Sequence, residues 1–139
     1  MLESPGWTKA PAEVRMAKRI LVVDDDENIL NLEKTILEQK GFDVTGAPGG
    51  AEALKLLAEK AFDLVLLDVM MPEVDGFTVC RKIKEDPKLK DLPVIFLTAK
   101  GGGEALAEGF ESGAIMYINK PFTANKLLTI VNTMLEASG

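Results

Sequence analysis

The 139-residue sequence contains no histidine. That excludes a Ser-His-Asp triad, a histidine metal ligand and a histidine general base. A single cysteine, Cys80, excludes an internal disulfide framework and a cysteine-rich zinc site. The apolar runs are short, such as 20–23 and 64–67, against the ~20 residues of a membrane span. The N-terminus has no apolar stretch of the kind a signal peptide carries, so a cytoplasmic location with no membrane partner is expected. Basic residues are in the minority, 16 against 22 acids for a net charge of −6, so no direct nucleic-acid binding is expected. Any reaction here must run on carboxylates, lysines, hydroxyls and backbone groups.

With 47% hydrophobic and 27% charged residues, the composition is that of one ordinary globular domain. The start differs from the rest. It holds Pro5, Gly6, Trp7 and Pro11 without a clear period. Residues 1–19 carry four bases against two acids, leaving −8 on residues 20–139. Residues 1–17 therefore read as an N-terminal extension, either flexible or an arm that docks Trp7, and 18–139 as the domain.

From residue 19 short β-rich runs alternate with helical periods. Strands are predicted at 19–23, 42–47, 63–69, 94–99 and 115–119. Helices are predicted at 28–40, 51–60, 77–85, 104–112 and 123–137. The first helix shows an apolar stripe through Ile29, Leu32, Ile36 and Leu37, with Gly41 as its stop. The last has Leu127, Leu128, Val131 and Leu135 on one side. Cys80 falls with Phe77 and Ile83 in the core pattern of the third. Five βα units call for an α/β fold, a doubly wound parallel sheet with helices on both faces. Right-handed crossovers bring all strand C-termini to one edge, where such folds place their sites.

The polar residues predicted at that edge form a pattern. The first strand ends in Asp24, Asp25 and Asp26, the third in Asp68, the fourth in Thr98, and the fifth runs into Lys120 and Pro121. Taken singly, Asp26 is a helix N-cap, Asp24 and Asp25 are solvated strand-end residues, Thr98 is a strand-end or cap residue, and Lys120 is a surface lysine. Asp68 resists that treatment, because a carboxylate after four apolar residues of a central strand is costly to bury. Together they make a cluster whose mutual repulsion a divalent cation such as Mg²⁺ relieves. A nucleophilic carboxylate beside Mg²⁺, an ammonium and a hydroxyl is a phosphoryl-acceptor constellation.

These residues resemble the receiver domain of two-component response regulators, in a chemotaxis-regulator-like form. The matching motifs are ILVVDDDEN at 20–28, LVLLDVMMPEVDGF at 64–77, VIFLTA at 94–99 and GFESGAIMYINKPF at 109–122. The resemblance implies a flavodoxin-like sheet of order 2-1-3-4-5 with five helices. It implies that Asp68 is the phosphoacceptor, and that Asp25, Asp68 and the backbone oxygen of Met70 ligate Mg²⁺ (or Mn²⁺), with Asp24 acting through water. Backbone groups of Met70 and Ala99 meet the phosphoryl group, Lys120 pairs with its oxygens, and the Lys120–Pro121 bond is cis. Thr98 and Tyr117 form a switch acting on the surface of the fourth helix, fifth strand and fifth helix, although Tyr117 also reads as a half-buried strand tyrosine. The implied partner is a histidine kinase or a histidine phosphotransfer protein, which supplies the histidine this chain lacks. The effector is open, and so is the choice between a stand-alone receiver, a relay shuttle and a domain of a longer regulator or hybrid kinase. No effector domain is read after Gly139. The expected state is a monomer or a weak phosphorylation-dependent dimer.

Some positions depart from the family pattern. Met70 and Lys100, two residues past Asp68 and Thr98, stand where fast-hydrolysing members often have polar or acidic groups. Slow self-dephosphorylation is therefore expected, with no enzymatic turnover beyond it. Gly101, Gly102 and Gly103 read as a tolerant loop or a mobile gate. Ile115 and Met116 replace acidic residues, to pack on the last helix or extend a partner surface. Competing classes are a pseudo-receiver that is never phosphorylated, a Mg²⁺-dependent aspartyl-phosphate phosphatase, and an FMN-binding flavodoxin. The complete set of Asp25, Asp68, Thr98 and Lys120 argues against the first. The nucleophile's place on the third strand and the absence of room for a cap argue against the second. Aspartates in place of a hydroxyl-rich phosphate loop argue against the third.

Overall fold

Alternating side chains of five short strands build two cores, one on each face of a single sheet. The computed structural model describes residues 17–98, 113 and 116–137, with the backbone alone at 98. The strands are β1 (Arg19–Val23), β2 (Asp43–Ala47), β3 (Leu64–Asp68), β4 (Val94–Thr98) and β5 (Met116–Asn119). They pair in parallel in the order β2-β1-β3-β4-β5. The described helices are α1 (Glu27–Glu38), α2 (Gly50–Glu59), α3 (Gly76–Glu85) and α4 (Ala124–Ala137). The helix expected over 104–112 lies outside the described residues, as do the N-terminal extension through residue 16, residues 99–103 and Ile115.

The period of two decides which helices cover which face. Leu21, Val23, Val65, Leu67, Val94 and Phe96 point to the side closed by α2 and α3, where Leu57, Phe77, Cys80 and Ile83 meet them. Ile20, Val22, Leu64, Leu66, Ile95 and Leu97 point to the side closed by α1 and α4, with Leu30, Leu37, Leu127 and Val131. All of β3 is buried, as expected of a central parallel strand covered on both faces. Met116 packs into the second core with the residues of α4, so of its two readings the packing one holds. Cys80 is a free, buried core residue.

The predicted elements that fall among the described residues are present with ends shifted by at most two residues, but the stripe on α1 is corrected in part. Of the predicted stripe Leu37 is buried and Ile36 packs against the core, but the helix also buries Leu30 and Glu33, while Leu32 is 48% exposed. The stripes through 29, 32 and 36 and through 30, 33 and 37 overlap on the helix surface, and the sheet takes the second. Local end signals hold. The Asp26 side chain accepts the N–H groups of Asn28 at 2.9 Å and Ile29 at 3.2 Å, capping α1. Gly41, at φ +90°, turns the chain out of that helix.

Candidate functional site: an acidic sheet edge

The C-terminal ends of β1, β3 and β5 set three charged groups against one another. Asp24 follows β1 and extends its pairing by one bond, from its N–H to the Ala47 carbonyl at 3.1 Å. Its side chain is 1% exposed. Oδ1 accepts the N–H of Asp26 at 2.9 Å, and Oδ2 accepts Nζ of Lys120 at 2.8 Å. The same Nζ lies 3.5 Å from Oδ1 of Asp68, the last residue of β3 and itself 5% exposed. Asp25 is exposed, open to solvent beside the two buried acids. One carboxylate oxygen from each of Asp24, Asp25 and Asp68 lies within 4.8 Å of the others.

These distances make the site electrostatically unbalanced. Burial pushes the Asp68 carboxyl up, Asp24 pushes it further and Lys120 opposes both, leaving it at about 6. Burial works against the charge of Lys120, but its contacts with Asp24 and Asp68 outweigh burial and hold its pKa above the ordinary lysine value. One ammonium thus serves two buried acids with a third alongside. Hard carboxylate oxygens, grouped closely and open through Asp25, are donors suited to a divalent cation such as Mg²⁺.

The surrounding loop is held by close packing. Gly76, at the start of α3, donates its N–H to the Val69 carbonyl at 3.0 Å. A Cβ on Gly76 would run into the Asp68 carbonyl oxygen and come within 2.9 Å of the Val69 Cα. Between them Val69 and Met71 are buried while Met70 stands 55% exposed. Glu73 takes a positive φ of 68°. On the far side, Thr98 pairs with Asn119 through the β4–β5 ladder. The Thr98 side chain, Ala99 and Lys100 lie outside the described residues. Tyr117 is half-buried on β5, with its ring edge-on to Phe96 at 5.9 Å, and Phe96 meets Phe77 at 5.1 Å. The Lys120–Pro121 bond is cis, as expected.

Sequence reasoning missed one residue. Glu33 is 1% exposed, inside α1's buried stripe. Burial first, and then the Asp24 charge, push its carboxyl up to about 9. The available signal was its i+3 and i−4 spacing from Leu30 and Leu37, which puts all three on one face.

Fold and edge together define a class: a doubly wound α/β domain with a cation-ready carboxylate cluster and an adjoining lysine. The family model of the response regulator receiver domain matches residues 20–132, and the chain belongs to that family. It is 42% identical over 118 residues to the DNA-binding dual master transcriptional regulator RpaA of Synechocystis sp., covering 85% of this chain and 49% of that protein. It is also 42% identical over 121 residues to the transcriptional regulatory protein SrrA of Staphylococcus aureus, covering 87% of this chain and 49% of the relative. The chain therefore spans about half the length of these relatives. Among solved structures, a CheY-like response regulator receiver domain protein from Methanospirillum hungatei superposes with a TM-score of 0.83 at 31% identity, covering 88% of this chain and 96% of that one. Among the described residues, no helix is long and apolar enough to cross a membrane.

Proposed function

We propose that residues 18–139 form a phosphoacceptor module, taking a phosphoryl group from a partner phosphohistidine onto Asp68. The observation that carries this reading is Lys120 Nζ set between Asp24 and Asp68 at 2.8 and 3.5 Å, within a three-carboxylate cluster. Asp25, Asp68 and the Met70 backbone oxygen would hold Mg²⁺ (or Mn²⁺), with Asp24 reaching it through water. Bound there, the cation offsets the repulsion among the carboxylates and the charge on the incoming phosphoryl oxygens.

An Asp68 carboxylate oxygen attacks phosphorus, forming an O–P bond as the P–N bond to the donor imidazole breaks. Lys120, now shared between two acids, turns its charge to a phosphoryl oxygen. The backbone groups of Met70 and Ala99 and the Thr98 hydroxyl meet the others. Thr98 and Tyr117 then shift the populations of the surface formed by segment 104–112, β5 and α4. The partner is a histidine kinase or a histidine phosphotransfer protein. This chain matches 49% of the length of RpaA, whose name describes it as DNA-binding, and no direct nucleic-acid contact is proposed for this chain.

The test is incubation with a small phosphodonor and Mg²⁺, read by intact mass. Wild type is expected to gain one phosphoryl group and Asp68→Asn none. An unmodified wild type overturns the reading. Because Met70 offers no polar group to orient water and Lys100 no acid, the adduct is expected to decay slowly in the same measurement.

A further inference from the structure

The methionines among the described residues are Met70, Met71, Met116 and Met134, and all but Met70 are covered. Met71 and Met134 are 8% exposed, and Met116 packs against the core closed by α1 and α4. Met70 is 55% exposed. The other exposed large apolar side chain among the described residues is Leu32, which has no oxidisable atom. Met70 has no inward course to take. Its neighbours Val69 and Met71 already fill the core at 3% and 8% exposure, and the Val69 carbonyl is pinned by the Gly76 N–H at 3.0 Å. The segment that follows β3 therefore turns one thioether out to solvent, at the sheet edge that carries the carboxylate cluster.

A thioether is flexible, polarisable and readily oxidised where solvent reaches it. With hydrogen peroxide, a sulfur lone pair attacks one peroxide oxygen. An S–O bond forms as the O–O bond breaks, and the departing hydroxide takes the proton from the new S–OH group and leaves as water. Sulfur loses two electrons and the peroxide gains them. The sulfoxide produced is polar and accepts hydrogen bonds, where the thioether was apolar. It forms close to Asp68, because two residues of chain span at most ~7 Å between Cα atoms. The Cys80 thiol is fully buried in the core beside α3, out of reach of the same reagent.

We infer that Met70 is a site of reversible oxidation, and that its sulfoxide shortens the life of a phosphoryl group on Asp68. The second half rests on the proposed phosphoacceptor reading; the first does not. An apolar side chain beside an acyl phosphate gives an attacking water no hold. A sulfoxide oxygen accepts a hydrogen bond from that water and keeps it at the site. Reduction of the sulfoxide back to the thioether restores the longer life.

The experiment treats the full chain with a limiting dose of hydrogen peroxide and maps the sulfoxide peptide by peptide. Met70 is expected to take up oxygen well before Met71, Met116 and Met134. The treated and untreated chains are then phosphorylated with a small phosphodonor and Mg²⁺, and loss of the adduct is followed by intact mass. Decay is expected to be about 2- to 10-fold faster after oxidation, the rate equivalent of one net hydrogen bond. Treatment with a methionine sulfoxide reductase should return it to the untreated rate. Met1 and Met16 lie outside the described residues, so Met70→Leu, compared with itself before and after peroxide, separates their oxidation from that of Met70. Its decay should not change. Oxidation of the covered methionines together with Met70 or ahead of it overturns the site. Unchanged or slower decay with Met70 oxidised, or the same acceleration in Met70→Leu, overturns the regulatory half and leaves the phosphoacceptor reading standing. A wild type that gains no phosphoryl group overturns that reading and the regulatory half with it, while the peptide map still decides the oxidation site.

Discussion

Asp68 and Lys120 meet the same cost of burial and resolve it in opposite directions. Lys120 has two acids within reach and keeps its charge, whereas Asp68 shares one lysine with Asp24 and holds its proton up to a pH of about 6. An ordinary aspartate titrates at 3.8, so the proton is bound more tightly in the folded chain than in the unfolded one. The resulting stability is fully present below about pH 4 and is lost as pH rises through about 6. Without metal, Asp68→Asn is therefore expected to be more stable than wild type at pH 7.5, by about 1–2 kcal/mol. The gap should close as pH falls from 7 to 4, and Mg²⁺ should narrow it at neutral pH. Denaturant melts of the two chains across that range check this; a gap that does not change with pH contradicts it.

At the scale of elements, the link between α3 and the end of β3 is the tightest constraint on the site. Gly76 lets the first turn of α3 lie against the backbone of Asp68 and Val69. Gly76→Ala is expected to cost ~2 kcal/mol or more through overpacking. Moving the Asp68 backbone, it should also weaken Mg²⁺ binding, which thermal melts and titration would read. The Asp26 cap and the Gly41 stop were legible because their causes lie within a few residues of one chain segment. The strand ends were legible because parallel βα units bring them to one edge by topology alone. The buried stripe of α1 was legible only in part, through Ile36 and Leu37. Ile29, Leu32 and Ile36 make as good an apolar face as Leu30 and Leu37 do, and only contact with the sheet decides between them. The chosen face contains a glutamate, which sequence patterning assigns to solvent.

The whole molecule carries no histidine and an excess of acids, and both features have a place in this account. On the proposed reading, the missing histidine belongs to the donor, and the acids at 24, 25 and 68, which cluster at the sheet edge, make the receiving edge. Membership of the receiver family and the parallel order β2-β1-β3-β4-β5 agree with that division of labour. The central claim is that, among three neighbouring aspartates, the phosphoryl group goes to the one at the end of β3. The direct measurement is peptide-level mass mapping after phosphorylation in Mg²⁺ and borohydride trapping of the acyl phosphate. The account predicts the trapped residue at Asp68 alone; trapping at Asp24 or Asp25 would contradict it.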